Sequence, residues 1–539
     1  MSDSDTETST STAHQRKKSK KPVTKLTRFA YVLKKSDFSK EFISRLKSDL
    51  TVKPYKPGNY GKFAKDTSFC LYVETKTHIG IPKHYAIEKI GPPTIDKLES
   101  YAYPRFKMKY NGELRPNQKL IVKKVLKGFE TVHGGLLIAG CGIGKTNMAI
   151  WLACHLGLKT LFIVHKEFLM KQFINRVKAF TNVQTVGIIQ QKKVDTNHPF
   201  VAGMVQSLAR RDYDDAIFKD FGLIIIDEVH HMAARNYSTV FKKLTSKRML
   251  GITAETERND KLFKVINWYM GPVLHLEPQK PNDMVVVKKF YFMTKKTELL
   301  ETIYNKYTKE VDRSTMITKL CEIKRRNRFI LNLILELYDQ EKKILCLSGR
   351  ICQIELLFEL LEANPLTKGN VGMYVGGTKD AKLAEASRKQ IILGSYDMAS
   401  EGLDIPDLNV ELLLTPKSTI KQCVGRILRK DVYTEHPIVI DFVDDNDIFK
   451  GQAKRRTTYY GEQHYNIQEF KVSDYELKGH AMWNDMDYIK ECLLKAPDPV
   501  DRAQWKTERK KFEPIKPAFD SDSDDFDCVT ATESGSSSD

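Results

Sequence analysis

The feature that most restricts the fold of this chain is a glycine-rich segment, residues 139–146, which reads Ala-Gly-Cys-Gly-Ile-Gly-Lys-Thr. An apolar run, residues 136–138, precedes it, and an apolar stretch of helical character, residues 148–156, follows it. A strand, a tight glycine turn and a helix in this order cradle phosphate groups, because glycines let backbone N–H groups turn inward and a helix N-terminus is positive. The pattern therefore predicts a nucleotide-binding α/β domain.

The residue types within this loop predict ATP and Mg²⁺ as cofactors. Lys145 is expected to reach the β- and γ-phosphates, and the hydroxyl of Thr146 is expected to bind Mg²⁺. The first position is alanine where the strict pattern has glycine. The predicted ATP-binding residues of the loop are Ala139, Gly140, Cys141, Gly142, Ile143, Gly144, Lys145 and Thr146.

A pair of carboxylates supplies the second part of the predicted site. The apolar run 224–226 leads directly into Asp227 and Glu228, and His230 follows. At the carboxyl end of a strand, Asp227 can hold Mg²⁺ and Glu228 can orient and deprotonate the attacking water. Upstream, Gln118 precedes a helical pattern, and its amide can pair with the adenine edge.

Apolar runs alternate with helical patterns through two successive blocks, which predicts an α/β fold with two tandem parallel-sheet domains. The strand candidates of the first block are 135–139, 160–164, 222–226 and 248–253, and those of the second block are 343–348, 370–375, 390–396, 410–415 and 437–442. Residues 23–112 include the strand-like run 69–73 and predict a small N-terminal accessory domain. The predicted order is therefore a disordered basic tail (1–22), the accessory domain (23–112), the first α/β domain (113–280), the second (281–445), a helical C-terminal extension (446–517) and a disordered acidic tail (518–539).

The second block carries arginines suited to act on ATP across a cleft. Gln422 opens a segment in which Arg426 and Arg429 are three residues apart, a spacing that places them on one helix face. Two arginines aimed at the γ-phosphate would act as arginine fingers, which contribute about 10³–10⁵ in turnover. A solvated basic helix end is the competing interpretation of this segment in isolation. Upstream, Gly402 permits a tight turn, Glu401 can contact Arg426 or the ribose, and Asp404 can orient the arginines.

The charge balance predicts a polyanionic partner. The chain has a net charge of +19, and its acidic end, residues 518–539, contributes six Asp and one Glu without Lys or Arg, so the rest carries +26. A basic body suits DNA or RNA, although charge alone also fits a soluble surface. The run 16–21 fits a nuclear signal, a nucleic-acid arm or a solvated tail. Scattered cysteines without metal-site spacing, together with no apolar run near the ~18 residues that span a bilayer, indicate an intracellular protein with no membrane association.

In their order along the chain, these motifs resemble those of the superfamily 2 helicases and translocases. The match over residues 113–445 rests on Gln118, the phosphate loop, the segments 164–169 and 205–208, Asp-Glu-Val-His at 227–230, 250–254, Ser-Glu-Gly-Leu-Asp at 400–404, and Gln-x-x-Gly-Arg-x-x-Arg at 422–429. The resemblance implies two RecA-like domains with ATP in the cleft and a nucleic-acid strand across their top. It also implies strand contacts at His165, Lys166, Gln206, Ser348 and Arg350, and coupling roles for His230, Thr253, Ala254 and Gln422.

Within the superfamily, the segments 164–169, 230–233, 439–446 and 449–456 look like the transcript-release helicases of poxviruses and other large DNA viruses. This similarity implies an ATP hydrolase that moves on DNA, 3′→5′, in viral transcription, with the transcription machinery as partner and the host cytoplasm or virion as location. An RNA helicase and a nucleotide-gated scaffold that does not unwind are the alternatives. Thr253-Ala-Glu-Thr256 departs from the family, which has Thr-Ala-Thr-Pro or Ser-Ala-Thr there, and leaves the coupling of hydrolysis to unwinding open.

Overall fold

The described part of the computed structural model contains three main sheets in chain order, of which the second and third are large and almost entirely parallel, and two further two-stranded sheets. The structure describes residues 22–55, 67–98, 101–140, 142–244, 246–258, 260–277, 284–293, 301–398, 405, 407–428, 435–473, 476–477 and 480–497. Both predicted tails, residues 1–22 almost entirely and residues 518–539, lie outside the described residues. The two large sheets confirm the predicted α/β class with tandem RecA-like domains.

The N-terminal domain is built on a small mixed sheet. Its strands are β1 (Thr24–Leu26), β2 (Tyr31–Lys34), β3 (Thr51–Val52), β4 (Phe69–Cys70), β5 (Val73–Glu74), β6 (His78–Ile81) and β7 (Ile95–Asp96), and its helices are α1 (Lys40–Asp49) and α2 (Lys83–Lys89). The main sheet has the order β5-β6-β2-β1-β7, whereas β3 pairs with β4 alone. The single strand predicted over residues 69–73 is therefore wrong: the chain turns at Leu71, whose carbonyl accepts a hydrogen bond from Tyr269 of the next domain at 2.6 Å.

The first α/β domain has an eight-stranded sheet in the order β11-β10-β12-β9-β13-β14-β8-β15. All neighbours are parallel except β10 and β11, which form an antiparallel edge pair. The strands are β8 (Gly134–Ile138), β9 (Thr160–Val164), β10 (Gly187–Gln190), β11 (Lys193–Asp195), β12 (Phe200–Met204), β13 (Leu223–Asp227), β14 (Arg248–Thr253) and β15 (Val273–Leu276). The helices are α3 (Pro116–Thr131), α4 (Lys145–Leu156), α5 (Glu167–Phe180), α6 (Val205–Arg210) and α7 (Phe263–Met270).

The central strands of this sheet are buried on both faces. Leu136 and Ile138 face one apolar core, and Leu137 between them faces another, because successive side chains of a strand alternate. The first core is continuous with that of the N-terminal domain, including Tyr31 and Leu33. The N-terminal domain therefore covers one face of the first sheet and fixes the strands whose ends form the site.

The second α/β domain has a seven-stranded, fully parallel sheet in the order β18-β19-β17-β20-β21-β16-β22. Its strands are β16 (Val286–Met293), β17 (Ile344–Ser348), β18 (Val371–Tyr374), β19 (Ile391–Ser395), β20 (Val410–Leu413), β21 (Ile438–Asp444) and β22 (Asn466–Ser473). Its helices are α8 (Arg313–Cys321), α9 (Lys324–Asp339), α10 (Ile351–Ala363), α11 (Asp380–Arg388), α12 (Lys421–Val424), α13 (Asp447–Glu462) and α14 (Met486–Leu494). A short hairpin of β23 (Glu476–Leu477) and β24 (His480–Ala481) precedes α14.

The chain beyond residue 445 completes the second sheet, which the prediction of a helical extension does not anticipate. Strand β22 pairs with β16 from Val286↔Asn466 to Met293↔Ser473. The ammonium of Lys288 on β16 is buried and donates to Gln468 Oε1 at 2.7 Å and to the carbonyls of Cys492 and Lys495 at 2.9 and 3.0 Å. The C-terminal helix α14 is thus fixed to the sheet through its last carbonyls, where a cation suits the helix dipole.

No helix in the described part of the chain combines the length and the apolar character that crossing a bilayer requires.

Candidate nucleotide and nucleic-acid site

The glycine-rich loop connects the end of β8 to the first residue of α4, as the sequence predicts. Gly142 and Gly144 have φ angles of +83° and +86°, in the left-handed region that favours glycine. A Cβ at position 144 would lie 2.4 Å from Nε2 of Gln118. The loop therefore needs glycine at these positions, and it presents the amino end of α4 to its concave side. Cys141 lies outside the described residues.

The ammonium of Lys145 points back into this loop. It donates to the carbonyls of Ala139 and Gly140 at 2.8 and 3.0 Å. Thr146 follows it in the first turn of α4. The cation is thus held over the concave side of the loop, where it can exchange carbonyl partners for phosphate oxygens.

Gln118 supports the same loop from helix α3. Its Oε1 accepts from the backbone N–H of Arg115 at 2.9 Å, and its Nε2 donates to the carbonyl of Ile143 at 2.7 Å. Both ends of the amide are engaged within the protein, and the side chain is buried. Its predicted pairing with adenine therefore remains a prediction.

Asp227 and Glu228 stand at the carboxyl end of β13, which pairs with β9 and β14 at the centre of the sheet. Glu228 has a φ of +45°, and its N–H donates to Oδ1 of Asp227 at 3.0 Å. Burial and the neighbouring Glu228 raise the pKa of Asp227, and Lys145 opposes that shift. Burial also disfavours the charged form of Glu228, but His230 and Lys145 outweigh it and lower its pKa. The charge of Lys145 thus acts on both carboxyl groups of this backbone turn.

His230 lies beside Glu228 and is buried. Its Nδ1 is 2.9 Å from Oγ1 of Thr253 and 3.3 Å from Oε2 of Glu228. Its Nε2 is 3.7 Å from Oε2 of Glu255. Thr253 ends β14, and its carbonyl accepts from Ala139 N–H at 3.0 Å. The imidazole therefore joins the carboxylate pair to the segment that follows β14, and Ala254 lies buried in that segment.

Arg426 of the second domain is placed differently from the sequence prediction. Helix α12 ends at Val424, and Arg426 follows in a tight turn, with its N–H donating to the Cys423 carbonyl at 2.8 Å. The prediction that Arg426 lies on a helix face is therefore wrong, because the helix ends at Val424 and Gly425 is its C-cap. Gln422 lies half-buried within α12. Besides Cys141, four predicted residues of the second domain lie outside the described residues: Glu401, Gly402, Asp404 and Arg429.

Arg176 on helix α5 brings the two domains into electrostatic contact, and the sequence prediction missed it. Burial lowers its pKa, the charge of Asp227 opposes that shift, and the charge of Arg426 adds to it. An arginine of the first domain thus lies near both the carboxylate pair and the arginine of the second domain. Nearby, Lys171 of α5 and Asp380 of α11 form a cross-domain ion pair at 2.9 Å. In the sequence, Arg176 is only a basic residue within a helical segment. Surface helices commonly carry such residues, so this pattern does not distinguish a residue of the site.

A separate cavity of about 520 Å³ runs between the domains. Lys166 and Phe168 line it from the first domain, and the second domain contributes Ser348, Arg350 and Lys417 among others. Three of the five predicted strand contacts therefore share one cavity. Lys417, which the sequence prediction did not include, lies 4.5 Å over the ring of Tyr396.

The five predicted strand contacts differ in what their side chains do. Ser348 is fully buried, and its hydroxyl donates to Gln353 at 2.8 Å. The guanidinium of Arg350 donates to Ser314 and Thr318 of helix α8. Gln206 donates to the carbonyl of His165 at 2.6 Å. Two further residues complete the set: the ring of His165 lies 4.1 Å from that of His231, and Lys166 has its side chain at the cavity.

Comparison with known proteins places these features in a family. A family model described as the res subunit of type III restriction enzymes matches residues 111–258. The chain is 57% identical over 482 residues to an Acanthamoeba polyphaga mimivirus protein that bears the provisional name ATP-dependent RNA helicase, covering 89% of this chain and 93% of that protein. It is 23% identical over 389 residues to a provisionally named helicase of Invertebrate iridescent virus 6, covering 69% of this chain and 86% of that protein. It is 22% identical over 504 residues to an African swine fever virus protein that is also provisionally named an ATP-dependent RNA helicase, covering 83% and 95%.

Proposed function

The chain belongs to the superfamily 2 helicases of large DNA viruses, which are ATP-hydrolysing enzymes, and we propose that it moves along DNA during viral transcription. The observation that carries the proposal is the grouping of Lys145, Asp227 and Glu228 in the first domain, where the charge of Lys145 acts on both carboxyl groups. Arg426 of the second domain lies at the same part of the cleft, because the charges of both Asp227 and Arg426 act on Arg176. Hydrolysis assembled from two domains is coupled to their relative position, which is what a motor requires.

In the proposed mechanism, the first domain binds and polarises ATP. The loop residues 139–146 enclose the phosphates, and Lys145 exchanges its two loop carbonyls for β- and γ-phosphate oxygens. Glu228 accepts a proton from the attacking water, and its low pKa keeps it ionised for that role. Gln118 holds the loop in its conformation, because its amide accepts from Arg115 at the start of α3 and donates to the carbonyl of Ile143 in the loop.

The donor set also suits Mg²⁺, which prefers oxygen ligands. Asp227 and the Thr146 hydroxyl are the residues that would hold it. Burial raises the pKa of Asp227, and a nearby dication would favour its ionised form. When bound, Mg²⁺ neutralises charge on the β- and γ-phosphates. Oε2 of Glu228 is buried and lies 3.3 Å from Nδ1 of His230, so the imidazole would hold this carboxylate in position for the attacking water.

The second domain completes the proposed site when the cleft closes. Arg426 would contact the γ-phosphate, and we propose that Arg429, Glu401, Gly402 and Asp404 contribute from the adjacent segments. Gln422 would approach the nucleotide from helix α12. His230, Thr253 and Ala254 would transmit the state of ATP, because they connect Glu228 to the end of β14.

The interdomain cavity is the proposed path of the nucleic-acid strand. Lys166, Arg350 and Lys417 would attract backbone phosphates, while Ser348, His165 and Gln206 support the walls. Contacts to phosphate depend steeply on salt, because binding releases counterions. The net charge of +19 favours the same partner. The same proposal includes movement in the 3′→5′ direction, an association with the viral transcription machinery, and a location in the host cytoplasm or virion.

The deciding experiment measures ATP hydrolysis by the purified protein with Mg²⁺ while single-stranded DNA, double-stranded DNA and single-stranded RNA are titrated separately. We expect DNA to raise kcat and the stimulation to weaken as salt rises. Lys145→Ala is the negative control, and we expect it not to hydrolyse ATP because the phosphates lose the cation that binds them. Absence of stimulation by all three polymers would refute a nucleic-acid motor.

RNA is the second candidate substrate. The mimivirus and African swine fever virus relatives both carry names that describe RNA helicases. The same titration separates the candidates: RNA-specific stimulation favours the RNA helicase, whereas stimulation by DNA favours the leading proposal. A strand-displacement assay with matched DNA and RNA duplexes then tests unwinding and its direction.

A further inference from the structure

A short hairpin at the start of the second α/β domain exposes two tyrosines beside two lysines. Tyr304 is 60% exposed, and Tyr307 is 95% exposed, the largest fraction among the bulky apolar side chains that the structure describes. Lys306 and Lys309 are exposed in the same turn. Aromatic rings interleaved with cations are the surface that unpaired nucleotides require, since bases stack on rings and phosphates pair with ammonium groups.

The hairpin is held in shape by its own backbone. Tyr304 forms an antiparallel bridge with Val311, and the N–H of Asn305 donates to the Glu310 carbonyl at 2.8 Å. Oδ1 of Asn305 accepts from the N–H of Tyr307 at 2.9 Å, which closes the turn. Tyr307 therefore projects from an ordered turn. A side chain carried on an ordered backbone loses less conformational entropy on binding than one carried on a flexible loop.

The hairpin also lies close to the interdomain cavity. It leads into Asp312, the N-cap of helix α8, whose Oδ1 accepts from Thr315 N–H at 3.0 Å. Ser314, in the first turn of this helix, accepts two hydrogen bonds from the guanidinium of Arg350 at 2.7 and 2.8 Å, and Arg350 lines the cavity. The start of α8 is six residues after Tyr307, and extended residues rise about 3.4 Å each, so the hairpin tip lies within about 20 Å of this first turn.

We propose that Tyr307, assisted by Tyr304, stacks on an unpaired base of the nucleic-acid strand at the rim of the cavity. Lys306 and Lys309 contact the adjacent phosphates. The inference rests on the proposed function, because the cavity must carry a strand for the hairpin to meet one. Stacking on a ring tolerates every base, which suits a protein that moves along a sequence without reading it.

The experiment measures equilibrium binding of a fluorescently labelled single-stranded oligonucleotide to the full chain, alongside the same strand with abasic sites. Tyr307→Ala should weaken binding of the normal strand about 5- to 100-fold, which is the range expected for loss of one stacked base. Tyr307→Trp should restore it. Leu366→Ala is the matched control, because Leu366 is 72% exposed beyond the end of α10 and outside the hairpin.

The abasic strand separates stacking from a structural effect. If Tyr307 stacks on a base, wild type and Tyr307→Ala should bind the abasic strand equally. Equal weakening of both strands, or unchanged binding of the normal strand, would overturn the stacking role. A wild-type protein that binds neither DNA nor RNA strands would instead refute the proposed function, so the two failures are distinguishable.

Discussion

The carboxylate of Glu255 lies 3.7 Å from Nε2 of His230, while the other nitrogen of that ring faces Glu228 and Thr253. A single buried imidazole is thus placed between the proposed catalytic base and the segment after β14. Glu255 and Thr256 are the residues at which this chain departs from Thr-Ala-Thr-Pro, and Glu255 adds a negative charge there. A residue that departs from the family pattern therefore lies next to His230, which in turn contacts the proposed catalytic base Glu228.

We predict that Glu255→Gln lowers the kcat of ATP hydrolysis about fivefold and leaves KM for ATP nearly unchanged. A lost polar contact is worth about 1 kcal/mol, which corresponds to this factor in rate. KM should change little because Glu255 does not contact the phosphate loop in the described residues. Steady-state phosphate release measures both constants. Glu257→Gln is the control, since Glu257 is exposed two residues further along, and equal effects of both variants would remove Glu255 from the site.

Glu228→Gln should bind ATP with Mg²⁺ and stall before cleavage. We expect kcat to fall by about 10²–10⁴, the usual contribution of a general base. Nucleotide binding measured by calorimetry should survive in this variant and fail in Lys145→Ala, because only the second variant removes the cation from the loop. Near-normal turnover in Glu228→Gln would mean that another residue accepts the proton.

Arg426→Ala should reduce kcat by about 10³ or more if Arg426 acts on the γ-phosphate from the second domain. Lys171→Ala provides the comparison, because it also removes a cross-domain charge. Its partner Asp380 and Lys171 itself are both at least half exposed, and such pairs are worth only about 0–1 kcal/mol. Single-turnover hydrolysis should separate the two variants clearly. A similar modest loss in both would point to a general defect in domain closure.

The strands and the nucleotide loop could be predicted from sequence because their signals are local. The run 160–164 becomes β9 with the predicted bounds, and 248–253 becomes β14. Both are continuous apolar segments, as expected for strands buried on two faces. The glycines of the loop are also a local signal, because Gly142 and Gly144 have positive φ angles that other residue types rarely adopt.

The missed features depend on contacts between distant segments. Strand β22 mixes buried, half-buried and exposed residues and is largely polar in sequence, yet it joins the sheet because it pairs with β16 along its whole length. Arg176 resembles any basic residue of a surface helix until Asp227 and Arg426 are brought near it by the fold. Glu255 and His230 are 25 residues apart, and only the parallel pairing of β13 with β14 brings their segments together.

Lys288→Met should loosen the C-terminal helix from the second domain. The substitution keeps an unbranched apolar chain but leaves Gln468 Oε1 and the carbonyls of Cys492 and Lys495 without the ammonium that donates to them. Unsatisfied buried acceptors cost about 1–3 kcal/mol each, so we expect a loss of several kcal/mol in this region. Limited proteolysis followed by mass spectrometry should show earlier cleavage near α14. Lys490→Met, on the exposed face of α14, should cleave like the wild type.

Glu411 predicts a pH dependence of stability that is independent of ATP. It is fully buried on β20, and burial raises its pKa to about 8, with Arg426 and Lys417 opposing the shift. Between its usual value of 4.5 and about 8, the unfolded chain releases this proton while the folded chain keeps it. Rising pH therefore favours unfolding, by about 1.4 kcal/mol per pH unit from this group.

Glu411→Gln removes the titrating group while keeping its shape. We expect the free energy of unfolding of the wild type to fall, relative to this variant, as pH increases from 5 toward 8, and the difference to stay constant above that range because both states are then ionised. Urea unfolding at several pH values measures it. Glu355→Gln, on the exposed face of α10, should track the wild type. Parallel pH profiles for wild type and Glu411→Gln would contradict the prediction, because they would show that Glu411 has the same pKa in the folded and the unfolded chain.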